Sequence, residues 1–155
     1  MQRNSLFLAG LTLAISLISL VFSQTSQAAD TGSDCGHFHL QISNVTKEAC
    51  ILISQKVIHG NLISSPPASI MPNDSKVFDM EQTVYGPSVM LTYRCGNEDI
   101  TLSSQQNFCL LEAGNITGEI LSPRPRDINA SYMALSGSFF WAKPGNINWQ
   151  IQDIK

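Results

Sequence analysis

Polar and apolar residues alternate with a period of two along much of the chain, the spacing of a strand with one covered and one wet face. In the run from His37 to Ser43, Phe38, Leu40 and Ile42 fall on one side, with His37, His39, Gln41 and Ser43 on the other. Cys50 to Ile58 is a second, β-branched run, reached through a polar turn around Lys47-Glu48. Pro66-Pro67 interrupts regular structure, and the turn-forming stretch Ile70 to Ser75 leads into a third run, Lys76 to Met80. From Ser88 to Arg94, Val89, Leu91 and Tyr93 oppose Met90, Thr92 and Arg94, and Gly96-Asn97-Glu98 returns the chain into Asp99 to Ser103 as a hairpin. Near the end, Phe139-Phe140-Trp141-Ala142 is followed by Lys143-Pro144-Gly145-Asn146 and by a strict alternation of Ile147, Trp149 and Ile151 against Asn148, Gln150 and Gln152. Pro then Gly suits the centre of a type II turn, so these two runs read as a second hairpin.

No stretch after residue 28 carries a long helical stripe. Many short strands between turns predict an all-β chain, a single antiparallel β-sandwich of about eight strands. No internal repeat, second domain or low-complexity linker interrupts it.

The first 28 residues follow a different pattern. Arg3 precedes an uncharged apolar run from Leu6 to Phe22, and Ser26-Gln27-Ala28 supplies small side chains where a signal peptidase cuts. The run approaches the length of a membrane span, but its Ser and Thr interruptions and small-residue exit fit a secretory signal peptide. The expectation is therefore a signal peptide over 1–28, one domain over 29–155 with no transmembrane helix, and a secreted product, extracellular or periplasmic.

Of 155 residues, 43% are hydrophobic and 14% charged, which fits a folded domain with one core. Nine Lys and Arg face twelve Asp and Glu, a net charge of −3, and the loss of Arg3 leaves −4. Such a chain has no basic field for releasing counterions, so no nucleic-acid partner is expected. Cys35, Cys50, Cys95 and Cys109 all follow the signal segment, and four cysteines in an exported chain read as two disulfides. Three pairings exist. The sequential one, Cys35–Cys50 with Cys95–Cys109, is favoured here because it closes two short loops worth about 3 kcal/mol each.

His37 and His39 share one strand face about 7 Å apart and could converge on a metal ion, although the local sequence offers no third ligand. The nearest candidates for that role are His59 and Asp34. No nucleophile elbow, phosphate-binding glycine loop or local carboxylate pair is present, so no cofactor and no catalytic residue is assigned. Phe140, Trp141 and Trp149 form the densest aromatic cluster, either core or a sticky patch for a ligand. Ser122-Pro123-Arg124-Pro125-Arg126 is a stiff cationic segment whose Arg124 and Arg126 could hold a phosphate or carboxylate, or else a solvated crossover between strands. Four N-x-S/T acceptors begin at Asn44, Asn73, Asn115 and Asn129.

The order of features from Phe38 to Arg94 resembles the aegerolysin family of small lipid-binding β-sandwiches. The residues that carry the likeness are the alternating strand ending in Asn44-Val45-Thr46, the second strand, Ile70-Met71-Pro72-x-x-Ser75-x-x-Phe78, and Gly86 before the Val89 to Tyr93 strand. The resemblance implies binding of particular membrane lipids, often beside a larger pore-forming partner. Four cysteines and few tryptophans depart from the family, so no binding residue is carried over. A non-catalytic secreted binding protein for a membrane lipid or a protein partner is the leading expectation. The alternatives are a metal-binding protein or enzyme centred on His37 and His39, and an inhibitor or effector that docks through residues 122–127.

Overall fold

The computed structural model describes residues 36–81, 86–107, 114–137 and 143–154. Ten strands order these residues: β1 (His37–Asn44), β2 (Cys50–His59), β3 (Asn61–Leu62), β4 (Ser69–Ile70), β5 (Asp74–Glu81), β6 (Ser88–Cys95), β7 (Glu98–Gln106), β8 (Ile116–Leu121), β9 (Ile128–Leu135) and β10 (Gly145–Asp153). They form two five-stranded sheets, with orders β3-β5-β1-β10-β9 (sheet A) and β4-β2-β6-β7-β8 (sheet B). The all-β expectation matches. The count of eight corresponds to the longer strands, and β3 and β4 are two-residue additions that turn chemistry does not announce.

Apart from β2, whose Ile51, Ile53, Val57 and Ile58 stand exposed, the longer alternating runs bury their apolar side. Phe38, Leu40 and Ile42 of β1, Phe78 and Met80 of β5, and Ile147, Trp149 and Ile151 of β10 project from sheet A into the core. From sheet B, Val89, Leu91 and Tyr93 of β6 and Ile100 and Leu102 of β7 complete it. Full burial of one such side chain is worth about 1.5–3 kcal/mol. A hydrogen bond between two side chains crosses the core from one layer to the other, from the Trp149 indole N–H to the Ser104 hydroxyl at 2.8 Å. It satisfies the one polar atom of a side chain that is otherwise all apolar surface.

One pairing departs from the antiparallel expectation. β1 and β10 run parallel, with Phe38 opposite Gly145 and Asn44 opposite Ile151, whereas every other pair among the described strands is antiparallel. β10 is therefore flanked by β1 and β9, and its antiparallel partner is residues 128–135. Phe139 to Ala142, read from sequence as that partner, lie outside the described residues. The β6–β7 hairpin is as expected, closed by Gly96-Asn97, with Gly96 at φ +62°. That conformation at the first of two turn residues matches the twist of the flanking strands and suits glycine.

The sequential disulfide pairing is corrected. Cys50 and Cys95 are bonded to each other, 45 positions apart in sequence. They stand opposite one another in the β2–β6 register, with Cα atoms 4.1 Å apart. Pairing follows this cross-strand proximity rather than loop length. Cys35 and Cys109 lie outside the described residues.

Candidate functional site

The wet face of sheet A is assembled from the polar halves of β1, β5, β9 and β10. Their registers lay side chains in rows: Val77, Gln41, Asn148, Met133 in one, and Ser75, Ser43, Gln150, Ser131 in the next. Within these rows Gln41 donates to the Ser75 hydroxyl at 2.7 Å, and the Ser43 and Ser75 hydroxyls share a bond of 2.9 Å. The middle of the face is thus amides and hydroxyls. Its flanks carry exposed apolar side chains, Val77 68% exposed on β5, beside Asp79 and Glu81, and Met133 67% and Leu135 64% exposed on β9.

A groove of about 510 Å³ opens on this face. It is lined by Ser43, Val45, Asn73, Asp74, Ser75, Ser131, Tyr132, Met133, Asn148, Trp149 and Gln150. Asp74 is the one charged residue among them, and Lys76 sits 2.9 Å from its carboxylate. That bond, with the Ser75 backbone N–H, holds the Asp74 carboxyl below its ordinary range. The Asn148 side-chain oxygen is buried and accepts no hydrogen bond, as is that of Asn146 two positions earlier.

Trp149 stands 2% exposed, so nearly all of its surface belongs to the core, although it borders the groove. Tyr132 packs against it, ring centroids 4.9 Å apart, at the open edge between β8 and β9. Gly118 on β8 makes room for this pair: a Cβ there would meet Trp149 Cζ2 at 2.6 Å and Tyr132 Cδ1 at 2.8 Å. A second groove of about 460 Å³ runs beside them, with Glu119 and Arg124 in its wall. Phe140 and Trp141 lie outside the described residues.

His37 and His39 do share the wet face of β1, and the β1–β5 register sets a carboxylate opposite each. Glu81 lies 3.7 Å from His37, and Asp79 contacts the His39 Nδ1. Among the described residues no group of three or more His, Cys, Asp and Glu side chains is arranged to hold a metal.

Arg124 and Arg126 belong to the segment joining β8 of sheet B to β9 of sheet A, where Ser122-Pro123 is cis. They line a groove of about 470 Å³ with Arg94, Glu98 and Asp99. Asp99 holds Arg94 through two hydrogen bonds, at 2.7 and 3.0 Å. Glu98 accepts the backbone N–H groups of Arg126, Asp127 and Ile128. These N–H groups, led by that of Asp127, lower the Glu98 carboxyl, and Arg94 lowers that of Asp99.

The residues that sequence reasoning missed are Ser131, Tyr132 and Met133 of β9. The available signal was a weak alternation of Ile128, Ala130, Tyr132 and Ala134, blurred by two small residues.

No protein-family model and no curated protein matches the chain. Among solved structures, it is similar to the lipid binding protein Nakanori, with a TM-score of 0.59 and 11% identity over 75% of this chain and 70% of that one. It is also similar to IP-1A from Alcaligenes faecalis, with a TM-score of 0.56 and 10% identity over 80% of this chain and 95% of that one. At such identities the likeness is one of fold, a two-sheet β-sandwich. No helix among the described residues is long and apolar enough to cross a membrane.

Proposed function

We propose that this chain is an exported, non-catalytic β-sandwich that binds a membrane lipid, the activity its resemblance to aegerolysins implies. The observation that carries the reading is the sandwich fold shared with the lipid binding protein Nakanori. The wet face of sheet A supports it in physical terms. Headgroups are polar and the acyl boundary beneath them is apolar, and this face offers hydrogen-bonding groups at its centre with Val77, Met133 and Leu135 at its sides. Binding of this kind buries apolar side chains at the interface and leaves the covalent structure of the lipid unchanged.

Vesicle flotation of the purified protein tests the reading. Vesicles of phosphatidylcholine, alone and mixed with phosphatidylglycerol, sphingomyelin or galactosylceramide, are expected to carry the protein upward in at least one composition. Met133→Ser and Leu135→Ser should weaken that retention without loss of thermal stability, since both side chains are exposed. Absence of the protein from the floated fraction in every composition would overturn the proposal.

A further inference from the structure

We infer that the groove on the wet face of sheet A receives the uncharged sugar headgroup of a glycolipid, an inference that rests on the lipid-binding reading above. The first ground is charge. No Lys or Arg lines the groove, and its single carboxylate, Asp74, already has Lys76 as its counter-charge. A phosphate group placed there would meet an acidic side chain, and the one ammonium beside it, that of Lys76, is already engaged by Asp74. An uncharged polyol meets no such penalty.

The second ground is the hydrogen-bonding inventory. Ser43, Ser75, Ser131, Asn148 and Gln150 all contribute to the lining, and each hydroxyl or amide both donates and accepts. A sugar hydroxyl has the same dual character, so neighbouring hydroxyls on a ring can bond to one amide through its oxygen and its NH2 together. Asn148 is suited to this role. Its side-chain oxygen accepts nothing within the fold, so no internal acceptor bond fixes which way its amide faces. A buried acceptor without a donor calls for an explanation, and a rotating amide that turns its oxygen toward an entering hydroxyl supplies one.

The third ground is geometry. The groove volume, about 510 Å³, suits a small sugar. Met133 and Val45 on its rim provide apolar contact for ring C–H groups or for the lipid surface just beyond. The cationic alternative lies elsewhere, at Arg124 and Arg126 between β8 and β9, and the two places are separately mutable.

Flotation with phosphatidylcholine vesicles containing galactosylceramide or glucosylceramide tests the inference, with plain phosphatidylcholine and phosphatidylcholine–phosphatidylglycerol vesicles alongside. Retention on at least one glycolipid should exceed that on plain vesicles by about tenfold and persist in high salt, because no ion pair is involved. Asn148→Ala should lower it by roughly three- to tenfold, the worth of one or two neutral hydrogen bonds. Ser131→Ala/Gln150→Ala, which alters only exposed side chains, should do likewise at an unchanged melting temperature. An Arg124→Ala/Arg126→Ala variant should retain full glycolipid binding. Equal retention with and without glycolipid overturns the headgroup assignment while leaving lipid binding in place. So does a preference for phosphatidylglycerol that vanishes in the double arginine variant. Capture of soluble galactose or glucose as tightly as the glycolipid overturns the membrane source. Failure on every vesicle removes the lipid reading itself.

Discussion

Glu98 holds Asp127 in place: the carboxylate at the start of β7 accepts the Asp127 backbone N–H at 2.8 Å. The same carboxylate takes the N–H groups of Arg126 at 3.0 Å and Ile128 at 3.2 Å. Three donors that β9 leaves unpaired at its entry are satisfied by one side chain from the opposite sheet, so the crossover from β8 is tied to the β6–β7 hairpin.

Removing that carboxylate should loosen the crossover before it affects the sheets. Glu98→Ala is expected to speed tryptic cleavage after Arg126 severalfold, while Arg124, followed by Pro125, stays resistant. Limited proteolysis with mass spectrometry of the fragments reads this directly. An unchanged cleavage rate would mean that the strands alone position residues 122–127.

Acid should weaken the fold through the same group and two others. Glu98, Asp99 and Asp74 all have carboxyls lowered from ordinary values of 4.5, 3.8 and 3.8, by backbone N–H groups, Arg94 and Lys76 respectively. A carboxyl lowered by folding adds stability that is fully present above its unfolded value and is lost as the pH falls through the folded one. Melting temperature should therefore be flat above about pH 5 with respect to these groups and decline below it. Glu98→Gln should flatten part of the decline.

The Cys50–Cys95 bond closes a loop of 45 residues, which in the chain-entropy model is worth about 4 kcal/mol. Cys50→Ala/Cys95→Ala should lower unfolding free energy by about that amount in denaturant titration. A single replacement is expected to be no milder, since it leaves one thiol buried opposite an alanine.

Asn44 is the most heavily bonded buried side chain at the β1 exit. Its amide donates to the carbonyls of Glu48 and Ile70, and its oxygen accepts the backbone N–H and hydroxyl of Thr46. Asn44→Ala strands these partners in the interior and should cost about 3 kcal/mol. Asn44→Asp should be as severe, because a carboxylate oxygen would face two carbonyls. The buried amide is also closed to glycan attachment in the folded protein, in contrast to the exposed Asn73 and Asn129.

Gly118 is held small by its neighbours. Gly118→Ala places a methyl group within 3 Å of both Trp149 and Tyr132, and over-packing of this kind costs about 1–3 kcal/mol. Tyr132→Ala in the same chain should return part of that loss by vacating the space, a coupling that a double-mutant cycle measures.

The strands with large side chains on one parity were legible from sequence. β1, β6, β7 and β10 each carry two or three large apolar residues in succession at alternate positions, and these are buried; the same parity is continued by polar Asn44, Ser104 and Gln106, which are buried too. β9 was not legible, because its covered side includes Ala130 and Ala134 while Met133 and Leu135 stand on the wet side. The parallel neighbour of β1 was hidden for another reason. A strand about a hundred residues away leaves no local mark, and only competition for the core decides which edge it joins. The cysteines misled because loop length is visible in a sequence and strand register is not. Polar positions on β1 and β10 were readable as a wet face, but that they share one groove with β9 depends on the registers that join all three.

The placement of β10 bears on how this chain can reach its folded state. The final strand is inserted between β1 and β9 in the interior of sheet A, so neither neighbour has a complete set of partners until residue 145 onward is present. A polypeptide cut short before Gly145 would have an open seam down the middle of one layer, with the facing backbone edges of β1 and β9 unpaired. Closure of sheet A must therefore wait for residues 145–153, a long-range step that joins segments about a hundred positions apart.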